Sequence, residues 1–94
     1  MSAEFTVFRS PRYEGDLQAL HDYVEQDNPD AALDLILHID DQVSQLADPN
    51  FPRRRGRKVG TLERVAHPNY VVVLRQTDTT VIALAVMHVA RQYP

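Results

Sequence analysis

Apolar side chains at Tyr13, Leu17, Leu20 and Val24 follow the spacing i, i+4, i+7, i+11, which gathers them on one stripe of a helix. Glu14, Asp16, Asp22 and Glu25 flank that stripe. Ahead of it, Glu4 to Phe8 alternates, with Phe5 and Val7 on one side and Glu4, Thr6 and Phe8 on the other. This predicts a short strand ended by Ser10-Pro11. A second helix is predicted from Pro29, with Ala32, Leu35, Ile36, Ile39, Val43 and Leu46 on a broad apolar face, ending near Asp48-Pro49. Pro29 disfavours helical geometry at Asn28 but suits the first helical position. Asn28 can cap the following N–H groups, and Asp30 complements the positive helix end. So short a break predicts an antiparallel helical hairpin.

The pattern then changes period. Residues 49–58 hold two prolines, one glycine and the run RRRGRK, and read as a loop. Val59 to Ala66 alternates moderately, Tyr70 to Arg75 is rich in β-branched residues, and Val81 to Ala90 is nearly all apolar, as in a strand covered on both faces. The turn-forming segments His67-Pro68-Asn69 and Gln76 to Thr79 separate them, which predicts an antiparallel meander. The expected architecture is α+β: one domain over residues 1–94, a two-layer sandwich of order β-α-α-β-β-β. The helical hairpin packs on a mainly antiparallel sheet.

Charge adds a division that hydropathy does not show. The net charge is −3, yet residues 1–48 carry eleven acidic and two basic side chains, while residues 49–94 carry two acidic and eight basic ones. An acidic half covering exposed helix faces and a bipolar surface with a basic working side are both consistent with this. There is no cysteine, which suits a reducing cytosol. The N-terminal MSAEFTVFRS lacks the pattern of a signal peptide, and no stretch approaches 18 uninterrupted apolar residues, so a cytoplasmic location is expected.

Strong catalytic signatures are missing. The sequence holds no glycine-rich phosphate loop, HExxH or GxSxG motif, and His21, His38, His67 and His88 lie in separate elements. No metal or cofactor is expected. Asp40 and Asp41 read as solvated acids on an exposed helix face. The positive signal is the basic run, Arg53, Arg54, Arg55, Arg57 and Lys58, suited to neutralising phosphates. If Ala66 faces Asn69 across its turn, Arg64 and Arg75 share one sheet face and extend that run. His88 at a strand end and Arg91 beyond it form a second candidate group.

DLQALHDYVEQDNPDAALDLILHID, FPRRRGRKVGTLERV, HPNYVVVLR and VMHVARQYP together resemble the RelE/ParE toxin superfamily of bacterial toxin–antitoxin modules, over nearly the whole chain and in the same order. Gly56, Arg57, Gly60, Thr61, Glu63, His88, Arg91, Tyr93 and Pro94 match the ParE-like pattern. One departure is GTLER in place of GTREL, which moves an arginine from position 62 to Arg64, along the same strand face.

The resemblance implies two mechanisms. A ParE-like toxin would poison DNA gyrase by binding it, without catalysing a reaction. Arg53, Arg54, Arg55, Arg57, Lys58, Arg64, Arg75, His88 and Arg91 would then be contact residues. A RelE-like toxin would be a ribosome-dependent mRNA endoribonuclease. His88 or Glu63 would act as base, Tyr93 or His88 as acid, and Arg57, Arg64, Arg75 or Arg91 would stabilise charge. A degenerate toxin that binds only its antitoxin is the third reading. The family also implies a cognate antitoxin, for which Tyr23, Leu33 and Leu37, off the main helical stripes, are the expected contacts, in a hetero-oligomer.

Overall fold

A computed structural model describes residues 4–90. Strand β1 (Thr6–Arg9) leads into helix α1 (Pro11–Glu25) and helix α2 (Pro29–Gln45). Strands β2 (Arg54–Arg55), β3 (Leu62–His67), β4 (Tyr70–Gln76) and β5 (Thr80–His88) follow. The α+β class, the hairpin and the meander β3-β4-β5 agree with the sequence pattern. The basic run differs: Arg54 and Arg55 form a two-residue edge strand inside the expected loop, and β3 starts at Leu62, not Val59.

Local chemistry accounts for both helix starts. Ser10 Oγ accepts from the Tyr13 N–H at 3.1 Å and donates to the Leu84 carbonyl at 3.0 Å, which caps α1 and fixes its start to β5. Pro11 and Pro29 occupy first-turn positions whose N–H groups have no helical acceptor. Asn28 Oδ1 accepts from the Ala31 N–H at 3.1 Å, the cap its position predicts.

The sheet order is β1-β5-β4-β3-β2, with β1 parallel to β5 and every other pair antiparallel. Both helices lie on one face, termed the inner face. There Val72, Ala66 and Ala83 meet Tyr13, Ile39 and Val43, while Leu74 and Val81 meet Leu46. Leu17, Leu20 and Leu35 pack at the margin of this core.

Two irregularities set which side chains reach which face. Between β3 and β4, Leu62, Glu63 and Arg64 pair with Leu74, Val73 and Val72, and the register shifts between Val65 and His67. Between β4 and β5, Val73 pairs with Ala85 and Leu74 with Ala83, so Leu84 is the extra residue.

Of the two acids on α2, Asp41 is exposed as expected, but Asp40 is not merely solvated. Asp40 is half-buried: its Oδ1 accepts from Arg9 Nε at 2.8 Å and from the Tyr13 hydroxyl at 2.9 Å. Arg9 also donates to Ser44 Oγ at 2.8 Å, so one arginine ties β1 to two turns of α2. Burial, and then the bond to Asp40, push the Tyr13 hydroxyl above its ordinary range. The bond to Asp40 holds the Arg9 guanidinium charged.

Candidate target-binding site

The basic run divides into side chains held by the protein and side chains facing solvent. Arg53 belongs to the first group. Its guanidinium donates to the carbonyls of Leu46 (3.2 Å), Asp48 (2.6 Å) and Phe51 (2.9 and 3.0 Å), and to Gln76 Oε1 at 3.0 Å. It satisfies carbonyls just beyond the end of α2 and fastens the following loop to β4. Burial lowers its pKa, although its carbonyl partners suit the charged form.

Arg54 donates through Nε and Nη2 to Glu63 Oε1 at 3.2 and 3.1 Å, across the β2–β3 pair. The Glu63 side chain is 1% exposed, and its Oε2 accepts the Arg57 backbone N–H at 3.3 Å. Arg57 then reaches along the sheet, its Nη2 donating to the Val89 carbonyl at 3.2 Å. This buried carboxylate is therefore a strut for the loop. The same loop turns at Gly60, whose φ of +84° lies in the left-handed region. At Gly56 an added Cβ would collide with the Thr61 hydroxyl and carbonyl.

Arg64 and Arg75 do not share a face. Because Arg64 pairs with Val72 and Leu62 with Leu74, Arg64 lies on the inner face. Arg75 alternates with Leu74 and lies on the outer face. The assumed pairing of Ala66 with Asn69 is off by one residue: the register shift before His67 moves the partner, and a one-residue slip exchanges faces. Arg64 Nε donates to Gln42 Oε1 at 2.8 Å, Nη1 donates to the Pro52 carbonyl at 3.1 Å, and the guanidinium stacks 4.2 Å from the Phe51 ring centre. Gln42, buried on α2, also donates to the Ala66 carbonyl. Arg64 is thus part of the joint between α2, the loop and β3.

Arg55, Lys58 and Arg75 are the exposed remainder. Lys58 and Arg75, together with Arg12 from α1, surround a shallow outer-face trough floored by Val73, Leu84, Ala85 and Met87. Arg12 was not singled out from the sequence. Its place depends on β1 lying beside β5, which no local pattern encodes.

His88 is the last residue of β5 and pairs with Tyr70. It is half-buried and edge-on to Tyr70, with ring centres 5.3 Å apart. Its Nδ1 faces the Ala90 N–H at 3.1 Å, as His67 Nδ1 faces the Asn69 N–H at 3.0 Å. An accepting Nδ1 leaves the neutral ring with its proton on Nε2, so the outward nitrogen donates rather than accepts. Of the ribonuclease candidates, Glu63 is tied to Arg54 and Arg57, and Arg64 lies on the inner face. Arg57, bonded to the Val89 carbonyl, is the arginine that reaches the chain next to His88. Arg91 and Tyr93 lie outside the described residues, and no group of histidines, aspartates and glutamates among the described residues could hold a metal ion.

Tyr23, Leu33 and Leu37 are 70%, 50% and 57% exposed. Tyr23 lines a groove between α1 and the end of the sheet, with Asp16, Leu20, Tyr70, Val86 and His88. Leu33 and Leu37 stand one turn apart on α2. Phe8, also exposed, was not foreseen as a surface residue of interest.

Residues 7–93 match the profile of the ParE toxins of type II toxin–antitoxin systems (parDE), so the chain belongs to the ParE toxin family. Among solved structures, it resembles a chain described as the chromosomal ParDE TA system from P. aeruginosa. That similarity has a TM-score of 0.82 and 20% identity, and covers 94% of this chain and 99% of the other. No curated protein matches the sequence significantly. No helix of the described residues is long and apolar enough to cross a membrane.

Proposed function

We propose that this ParE-family chain inhibits DNA gyrase in the cytoplasm by binding it, and that a cognate antitoxin neutralises it in a hetero-oligomer. The working surface centres on Lys58 and Arg75 on the outer face of the sheet, with Arg57 in the same loop and Arg55, which pairs with the inner-face Leu62, at the sheet edge. Arg91 is a further proposed contact, as is His88, which lines the groove beside α1 at the end of the sheet. Tyr23, Leu33 and Leu37 are the antitoxin contacts. One observation carries the reading: Arg53 and Arg64 are bonded into the fold, while Lys58 and Arg75 remain presented around the outer-face trough. A surface of presented cations suits binding. Acid–base catalysis needs groups converging on a reacting atom.

A plasmid supercoiling assay with purified gyrase tests this. The expected result is gyrase-dependent linearised plasmid, abolished in the double variant Lys58→Glu, Arg75→Glu, with ribosome-bound mRNA left intact. Codon-positioned mRNA cuts that vanish in His88→Ala would establish the ribonuclease instead. Activity in neither assay, with antitoxin binding retained, would identify a toxin that binds only its antitoxin.

A further inference from the structure

The outer-face trough combines the cations of the proposed working surface with an apolar floor that binding by charge alone does not require. Its floor is aliphatic, made by Val73, Leu84, Ala85 and Met87, and its rim carries three cations from three elements: Arg12 from α1, Lys58 from the loop and Arg75 from β4. Ala85 and Val73 are already nearly buried, whereas Leu84 and Met87 are half-exposed. The carboxylate nearest to Arg12 is Asp16, 3.9 Å away at the limit of an ion pair, and the Arg12 side chain stays 70% exposed. Lys58 and Arg75 are exposed as well.

From this juxtaposition we infer that the trough is a docking site for an acidic peptide segment of a protein partner. One aliphatic side chain would enter between Leu84 and Met87, and flanking carboxylates would meet Arg12, Lys58 and Arg75. The free space is about 150 Å³, which corresponds to roughly five waters and fits one aliphatic side chain. The Leu84 bulge helps form this recess, because the extra residue displaces β5 locally from its pleat.

Nucleic acid fits the same surface less well. Single strands are held largely by stacking on aromatic side chains, and no aromatic residue lines this trough. The chain also carries a net negative charge, so long-range attraction does not favour a polyanion as long as a duplex. A short acidic segment meets only the local cationic rim.

The inference rests on the proposed function only in taking the outer face as the working surface, and the two fail separately. Intact gyrase inhibition without peptide binding removes the acidic-peptide assignment alone. Peptide binding without gyrase inhibition removes gyrase alone.

The test is a fluorescence-anisotropy titration of the full chain with a short labelled peptide in which one leucine is flanked on each side by two glutamates. Binding is expected to weaken as salt rises, and by about fivefold or more in each of Arg12→Glu, Lys58→Glu and Arg75→Glu. Replacing the peptide leucine by serine should weaken it comparably. Far-UV circular dichroism of each variant confirms that it is folded, and Arg12→Gln provides a milder substitution if the reversal unfolds the chain. Affinity unchanged by these substitutions, or tighter binding of a single-stranded or duplex oligonucleotide than of the peptide, overturns the assignment.

Discussion

Glu63 and Arg54 face each other across the β2–β3 pair, with two arginine nitrogens on a carboxylate oxygen that solvent scarcely reaches. The pair is asymmetric, because the Arg54 side chain remains more than half exposed. Removing the carboxylate strands no buried cation, but it leaves the Arg57 N–H without that acceptor. Glu63→Ala is therefore expected to lower stability by about 1–3 kcal/mol, through the lost bonds and the empty site. The urea midpoint of the purified chain measures this. An unchanged midpoint would show that the loop holds its shape without the strut.

Arg64 and Arg75 should separate structural from functional loss. Arg64→Ala gives up the stack on Phe51 and leaves Gln42 Oε1 short of a donor, at a cost of about 1–2 kcal/mol. Arg75→Ala should change stability by no more than about 0.5 kcal/mol while weakening gyrase inhibition. Urea denaturation and the supercoiling assay, run on both variants, check the contrast. The opposite pattern would mean that the working surface lies at the α2–β3 joint.

Tyr13 gives an alkaline signature. In the unfolded chain its hydroxyl ionises near its ordinary value of about 10, whereas in the fold burial and the Asp40 bond hold the proton to higher pH. The resulting stabilisation is complete below about pH 10 and is lost as pH rises through the folded value. Tyr13→Phe should cost about 1 kcal/mol at neutral pH and flatten this decline. Denaturation midpoints between neutral pH and about pH 11 test it. Parallel curves for the two proteins would assign the alkaline loss to other groups.

Leu33→Ser and Leu37→Ser should leave the free chain's stability within about 0.5 kcal/mol, because both side chains are half in solvent already. Each should weaken antitoxin binding by about 1–2 kcal/mol if the antitoxin buries it. Calorimetric titration with the antitoxin reads this directly. Unaltered affinity in the double variant would place the antitoxin elsewhere.

Much of the fold was legible because its signals are local. The Asn28-Pro29 junction, the stripe through Tyr13 and Val24, and the β-branched run of β4 each carry their own periodicity or capping chemistry. The rest depended on distant partners. β2 has no apolar alternation, since Arg54 and Arg55 gain their pairing from Glu63 and Leu62. Asp40 looked solvated because Arg9 and Tyr13, which hold it, come from β1 and the start of α1. The face occupied by Arg64 turned on a single irregularity near His67, which composition does not mark. Of the candidate site, Arg55, Lys58 and Arg75 are exposed, but which arginines the fold would absorb could not be read from a run of identical side chains.

The parallel pairing of Thr6 with Thr80 and of Arg9 with Ala83 joins the first strand of the described residues to the last. During synthesis β1, α1 and α2 leave the ribosome long before β5, yet β5 is the neighbour on which β1 lies and against which α1 packs. Loop closure over that separation must precede the contacts that reward it. A nascent chain stopped before Thr80 lacks the β5 part of the sheet under α1 and three of the four residues that floor the outer trough, Leu84, Ala85 and Met87. The surface is therefore completed only once β5 has been made, and synthesis interrupted before it leaves fragments without that surface.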